Sequence, residues 1–214
     1  MKINLEITDA SHIFAQKSVE DLNTKELVPK MVLRRRLTRA SKLVIELMSK
    51  VEFTQGRIIF GTGYGELLAT SNILNAISNE SGVSPTDFQN SVYNTSVSYA
   101  SILTKNTSEI LTISSGEETS LKLLKVGAVK ALDADEILLI CSETLDIENI
   151  DEVNNCIKYL ESAVILKVKV TQEQSTLNIK DISFDADFPK SINHMLYLSK
   201  NFKKDEKMIF EVEL

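Results

Sequence analysis

The sequence predicts a layered α/β fold built on a mixed sheet. Three observations predict it. Strand and helix patterns alternate through the first two thirds of the chain. The run EILLICSE (136–143) is continuously apolar at its centre, the signature of a strand buried on both faces. Further strand patterns then cluster toward the end.

The elements follow in order. Ile3, Leu5 and Ile7 alternate with polar residues, which predicts a half-buried strand over 2–8. Residues 9–29 are mixed, and Pro29 closes them. From Lys30, apolar residues from Met31 to Met48 recur at spacings of three and four. This predicts one amphipathic helix of roughly 20 residues, with Arg34, Arg35, Arg36, Arg39 and Lys42 on its polar face. RIIFGTGYGE (57–66) reads as a strand entering a Gly-rich turn, and 67–78 as a helix. Ser84 caps a helix over 86–103 with a small-residue face of Ser91, Thr95, Ser98 and Ala100. EILTIS (109–114) is a strand, SGEE (115–118) a tight turn and 119–132 a helix. Residues 148–162 read as loop and helix. Runs 164–170 and 176–184 read as a hairpin, 191–199 as a helix and 208–214 as a last strand.

Composition restricts the function. The chain has 214 residues, 43% hydrophobic and 25% charged, with 7 Gly and 3 Pro, which excludes disordered and collagen-like classes. A net charge of -6 argues against a general nucleic-acid binder. Two cysteines, Cys141 and Cys156, make no disulfide framework, and with His12 and His194 they make no zinc-site spacing. A Cys–His or Ser–His enzyme must be built from these four and a serine. No apolar run has the length of a signal core or a membrane span, so a cytoplasmic protein without metal or cofactor is expected.

Three motifs carry candidate chemistry. FGTGYGE (60–66) has the wrong glycine spacing for a dinucleotide fingerprint and reads as a tight strand-to-helix turn. ISSGEETS (113–120) has the layout of a nucleophile elbow, with Glu117 and Glu118 at its centre. A carboxylate suits a helix start; Ser114 and Ser115 are the available hydroxyls, and no His accompanies them in the motif. LRRRLTRASK (33–42) concentrates cations, either as a solvated face or as a docking surface for an acidic partner. Cys141 lies in an apolar strand, where a thiol behaves as a small hydrophobe, and Cys156 reads as a helix-face residue.

Three stretches together resemble the N-terminal half of the β-ketoacyl synthases, a thiolase-like family. RRRLTRASK resembles the Arg-rich helix after the first strand. VSPTDFQNSVYNTSVSYASI (83–102) resembles the family's S-P-T-x-F-S-x-S-V-H-N-A segment, with Tyr93 in place of its His. LTISSGEETSLKLLKVGAVKAL (111–132) resembles the strand, elbow and buried helix that carry the catalytic cysteine. The resemblance covers about residues 30–145, and one domain over 1–214 is assigned on it. It implies a thiolase-like half, with a mixed five-stranded sheet and a buried central helix.

Laid on the family's elbow, the cysteine position falls on Glu117. Decarboxylative condensation needs a thiolate and imidazoles, so the resemblance implies a non-catalytic subunit. Chain-length factors of this kind pair with a catalytic ketoacyl synthase and shape its acyl tunnel, and short members accompany synthases of aryl polyene biosynthesis. The implied partners are such a synthase and an acyl carrier protein, in fatty-acid-type biosynthesis. The implied dimer contact runs through the edge strand, with Ile110 and Thr112, and through Ser91 and Ser98. Thr104 and Asn106 would lie where the partner's acyl chain runs. Arg34, Arg35, Arg36 and Arg39 would meet the carrier protein. Two alternatives stand beside this: a stand-alone hydrolase, decarboxylase or acyltransferase using Glu117 or Ser115, and a homodimeric scaffold.

Overall fold

The N-terminal alternation becomes strand β1 (Lys2–Ala15), which runs well past residue 8. Its antiparallel register with β5 (Glu161–Thr171) shifts between Ile7 and Asp9. That bulge breaks the two-residue period at Thr8, which is why the pattern fades there. Residues 1–148, 150 and 157–214 are described in this computed structural model.

The apolar run becomes β4 (Ile137–Thr144), buried at every position. With β2 (Arg57–Gly61), β3 (Ile110–Ile113), β6 (Leu177–Asn178) and β7 (Met208–Glu213) it forms one sheet in the order β3-β2-β4-β5-β1-β7-β6. The β2–β3, β2–β4 and β6–β7 pairs are parallel; β4–β5, β5–β1 and β1–β7 are antiparallel. The sheet is mixed, as expected, but has seven strands rather than five, because β7 extends β1 outward and β6 extends β7.

The predicted hairpin of 164–170 with 176–184 does not form. Residues 161–166 of β5 are all buried, and the strand is paired on both sides, by β4 and β1. The chain after Thr171 therefore travels to the far edge, where Leu177 pairs with Phe210.

Two predicted helices are each divided. The helix from Lys30 is α2 (Met31–Arg34), preceded by the single turn α1 (Thr24–Leu27), and α3 (Arg39–Lys50). Thr38 makes the break: its backbone is extended and its side chain accepts from Ser41 N. The stretch 86–103 divides into α5 (Pro85–Asn90), capped by Ser84 as predicted, and α6 (Thr95–Thr104). Helices α4 (Leu67–Ser78), α7 (Thr119–Lys130) and α8 (Asn193–Asn201) fall where the pattern puts them. In the reading of 148–162, residues 149 and 151–156, with Cys156, lie outside the described residues; from Glu161 onward the chain is strand.

Helices cover both faces of the sheet. On one face α3 and α6 pack Leu43, Leu47, Val97 and Ala100 against Ile58, Phe60, Leu138 and Ile140. On the other, α7 and α8 pack Leu123, Leu124, Ala128 and Met195 against Ile59, Leu139, Cys141 and Leu166. Each large side chain buried this way contributes about 1.5–3 kcal/mol. Helix α7 is the buried central helix, and its N-terminus emerges at the C-terminal ends of β2, β3 and β4. No helix among the described residues is long and apolar enough to cross a membrane.

Candidate functional site at the strand-to-helix elbow

Between β3 and α7 the chain makes a sharp turn. Gly116 takes a left-handed φ of 54°, which a side chain would resist, and residues 116–118 form a single 3-10 turn. Thr119 fastens it: its hydroxyl donates to Gly116 O at 2.7 Å and accepts from Ser115 N at 3.0 Å. Glu117 is exposed, and its Oε2 accepts from Lys190 Nζ at 3.1 Å. Glu118 pairs one turn on with Lys122 at 3.5 Å. Beside the elbow a cavity of about 320 Å³ is lined by Tyr64, Glu117, Phe184, Phe188, Lys190 and Asn193, among others.

Neither imidazole is bonded to Glu117, Ser114 or Ser115 among the described residues. His12 Nδ1 lies 2.9 Å from Ser199 Oγ and its ring stacks on Phe14. His194 Nδ1 lies 3.3 Å from the buried Ser120 Oγ, and its ring meets Phe184 edge-on. Burial lowers the pKa of both rings, which favours neutral imidazoles. Among the described residues, neither Ser114 nor Ser115 has a hydroxyl bonded to an imidazole. The Cys141 thiol is wholly buried, and burial with Glu143 nearby holds it well above its usual pKa, so it is no nucleophile.

The residue that sequence reasoning missed is Glu143. Its carboxyl is fully buried beneath the elbow and accepts from Gly63 N at 2.6 Å, Thr62 Oγ1 at 3.0 Å and Tyr64 N at 3.3 Å. Burial raises its pKa, and the donors work against that rise. Glu143 thereby pins the FGTGYGE turn beneath the elbow. A Cβ at Gly63 would stand 2.8 Å from Gly116 O and 2.8 Å from Ser191 Cβ. The glycines serve close approach here. The signal in the sequence was a carboxylate closing an otherwise apolar strand.

The candidate interface residues have mixed placements. Ile110 and Thr112 lie half-buried on β3, an outer strand of the sheet, which among the described residues pairs on one side, with β2. Ser91 Oγ donates to Phe88 O, and Thr104 Oγ1 donates to Ala100 O. Ser98 lines a shallow hollow with Val92 and Ile102. Asn106 is buried and locked to Gly56, accepting from its N at 3.1 Å and donating to its O at 3.0 Å. Helices α4–α6 and the turns between them present exposed Leu74, Ile77, Phe88 (70% exposed), Tyr93 and Ile102 (64%). Only Glu80 and Asp87 are charged between residues 67 and 104, in a chain that is 25% charged. Depletion of charge with exposed apolar and aromatic groups marks an interface core.

The arginines do not form one face. Arg34 donates to Val28 O at 2.8 Å. Arg39 makes a two-point ion pair with the buried Glu161, at 2.7 and 2.5 Å, and a bond to Val19 O. Arg35 and Arg36 remain exposed, on the loop between α2 and α3. Among the described residues no group of three or more His, Cys, Asp or Glu is placed to hold a metal ion.

The family model described as beta-ketoacyl synthase, N-terminal domain, matches residues 9–196. The chain belongs to this family. In fold, this ketoacyl synthase N-terminal domain is similar to a chain of the ketosynthase (ApeO) in complex with its chain length factor (ApeC) from Xenorhabdus doucetiae. That match has a TM-score of 0.70 at 19% identity, over 94% of this chain and 93% of that one. It is also similar to the ishigamide ketosynthase/chain length factor, with a TM-score of 0.61, 12% identity and 81% of this chain covered. A beta-ketoacyl synthase from Burkholderia phymatum STM815 gives 0.57 at 10% identity, over 79% of this chain. The domain spans 63% and 60% of those last two chains. No curated protein matches it.

Proposed function

We propose that this chain is a non-catalytic, chain-length-factor-like subunit. It pairs with a catalytic β-ketoacyl-[acyl-carrier-protein] synthase and supplies part of the wall of its acyl tunnel, in polyene or fatty-acid-type biosynthesis. One observation carries the reading. At the elbow position where the family has its nucleophile stands Glu117, exposed and ion-paired to Lys190, while the two imidazoles bond Ser199 and Ser120. A carboxylate so placed offers neither a thiolate to hold an acyl group nor a proton donor for a carbanion-like intermediate. The near end-to-end likeness to a chain of a ketosynthase–chain-length-factor complex supports it.

The surface gives the pairing a physical basis. An open edge strand invites a partner strand, and the charge-poor, apolar surface of α4–α6 offers a second contact. The domain spans residues 1–214, and the contact uses Ile110, Thr112, Ser91 and Ser98. Thr104 lies nearest the tunnel, and the Asn106 side chain holds the loop behind it. Arg35 and Arg36 are the cations open to an acidic carrier protein, in the cytoplasm. Co-expression with a synthase that has an intact Cys-His-His set, followed by size-exclusion chromatography, tests the reading. A one-to-one complex is expected; two separate peaks would contradict it.

A further inference from the structure

A second cavity, of about 360 Å³, lies between α3, α4 and α5, away from the elbow. Its volume is in the range of small-molecule sites. Glu66 lines it and is only 7% exposed. Its Oε1 accepts from Thr38 Oγ1 at 2.7 Å, and Thr38 in turn shares a 2.7 Å bond with Ser41 Oγ. Among the described residues, Oε2 has no hydrogen-bond partner. That oxygen is the part of the carboxyl left accessible to the cavity, so a donor on a bound molecule can reach it.

We propose that this cavity binds a small organic cation, carrying a primary ammonium or guanidinium group, whose N–H donates to Glu66 Oε2. The charges facing the cavity favour that sign. They are Arg39, Lys42, Asp87, Asp146 and Glu161, besides Glu66. Arg39 and Glu161 neutralise each other in their two-point pair. Lys42 is then set against Asp87, Asp146 and Glu66, a net negative lining. The Thr38 hydroxyl already donates to Glu66, so the carboxyl is held as an acceptor, and a second donor completes it. Burial pushes the Glu66 pKa up to about 7, which a bound cation would reverse.

Calorimetric titration of the full chain with methylguanidine and with butylammonium tests this, with propionate as the anionic probe. The cations are expected to bind at about pH 8 and at least about tenfold more weakly at about pH 5.5, where Glu66 is protonated. Glu66→Gln is expected to abolish the binding. Ala69→Leu, which fills the cavity and keeps the carboxylate, is expected to weaken it as well, so the test survives a Gln variant that fails to fold. Equal binding by either folded variant overturns the proposal. So does binding of propionate in place of the cations, or no binding of any probe.

Discussion

Glu117 Oε2 lies 3.1 Å from Lys190 Nζ, and both residues line the elbow cavity. Their side chains are 65% and 64% exposed, so water screens the pair. Exposed pairs of this kind contribute about 0–1 kcal/mol. Glu117→Ala is expected to leave the urea unfolding midpoint nearly unchanged and the association with a synthase intact. Loss of a synthase complex's activity on this one change would give Glu117 a chemical role.

Glu143 is the opposite case. Glu143→Gln replaces one of the two accepting oxygens with an NH2, which then faces the N–H of Gly63 or of Tyr64, a buried donor against a donor. A loss of about 1–3 kcal/mol is expected, read by urea unfolding. Gly63→Ala should be at least as damaging, because its Cβ meets Gly116 O. Gly82→Ala is the control: nothing lies within 4 Å of a Cβ there, and its stability should move by no more than about 0.5 kcal/mol.

The Arg39–Glu161 pair ties α3 to β5. Glu161 is nearly inaccessible, with 2% side-chain exposure, while Arg39 keeps 31%. Glu161→Gln should cost about 2 kcal/mol, below the figure for a wholly buried pair because solvent reaches Arg39. A chemical-denaturation series with Arg39→Met and the double variant gives the coupling. Strict additivity would contradict the pairing.

Glu66 predicts a pH dependence. Its pKa is raised from 4.5 to about 7 in the folded chain, so the folded state binds more protons between those values. Stability from this group is therefore full below about pH 4.5 and is lost as pH rises through about 7, by up to about 3 kcal/mol. The difference between wild type and Glu66→Gln, measured by urea unfolding across this window, should trace that loss. A flat difference would contradict the burial of an ionisable carboxyl at this position.

Much of the fold was legible in the sequence because the strands and helices obey their periods. β4 was plain from EILLICSE, and the elbow from the strand–SGEE–helix order. What failed was long-range. Adjacent alternating runs suggest a hairpin after β5, but β5 is claimed on both sides by β4 and β1, and local pattern cannot report that. Spacing suggests a single helix through LRRRLTRASK because the apolar period continues across the Thr38 cap. Arg39 looked like its neighbours, because its partner Glu161 lies 122 residues away. Glu143 was hidden for the same reason: its donors come from the loop after β2.

The interface prediction concerns Phe88 and Ile102. Both are exposed apolar residues, on α5 and α6. Phe88→Asp and Ile102→Asp should leave the isolated chain as stable as wild type in urea, and each should weaken its complex with a synthase about tenfold or more. Unchanged association with both would place the contact elsewhere.

Acyl transfer is the most direct test of the proposal that this chain is a non-catalytic subunit. The chain and a catalytic synthase are incubated together with an acyl-carrier substrate, and intact-protein mass spectrometry reads each subunit. The expected result is an acyl adduct on the synthase and an unmodified mass for this chain. An acyl adduct on this chain that disappears in Glu117→Ala or Ser115→Ala would contradict the account.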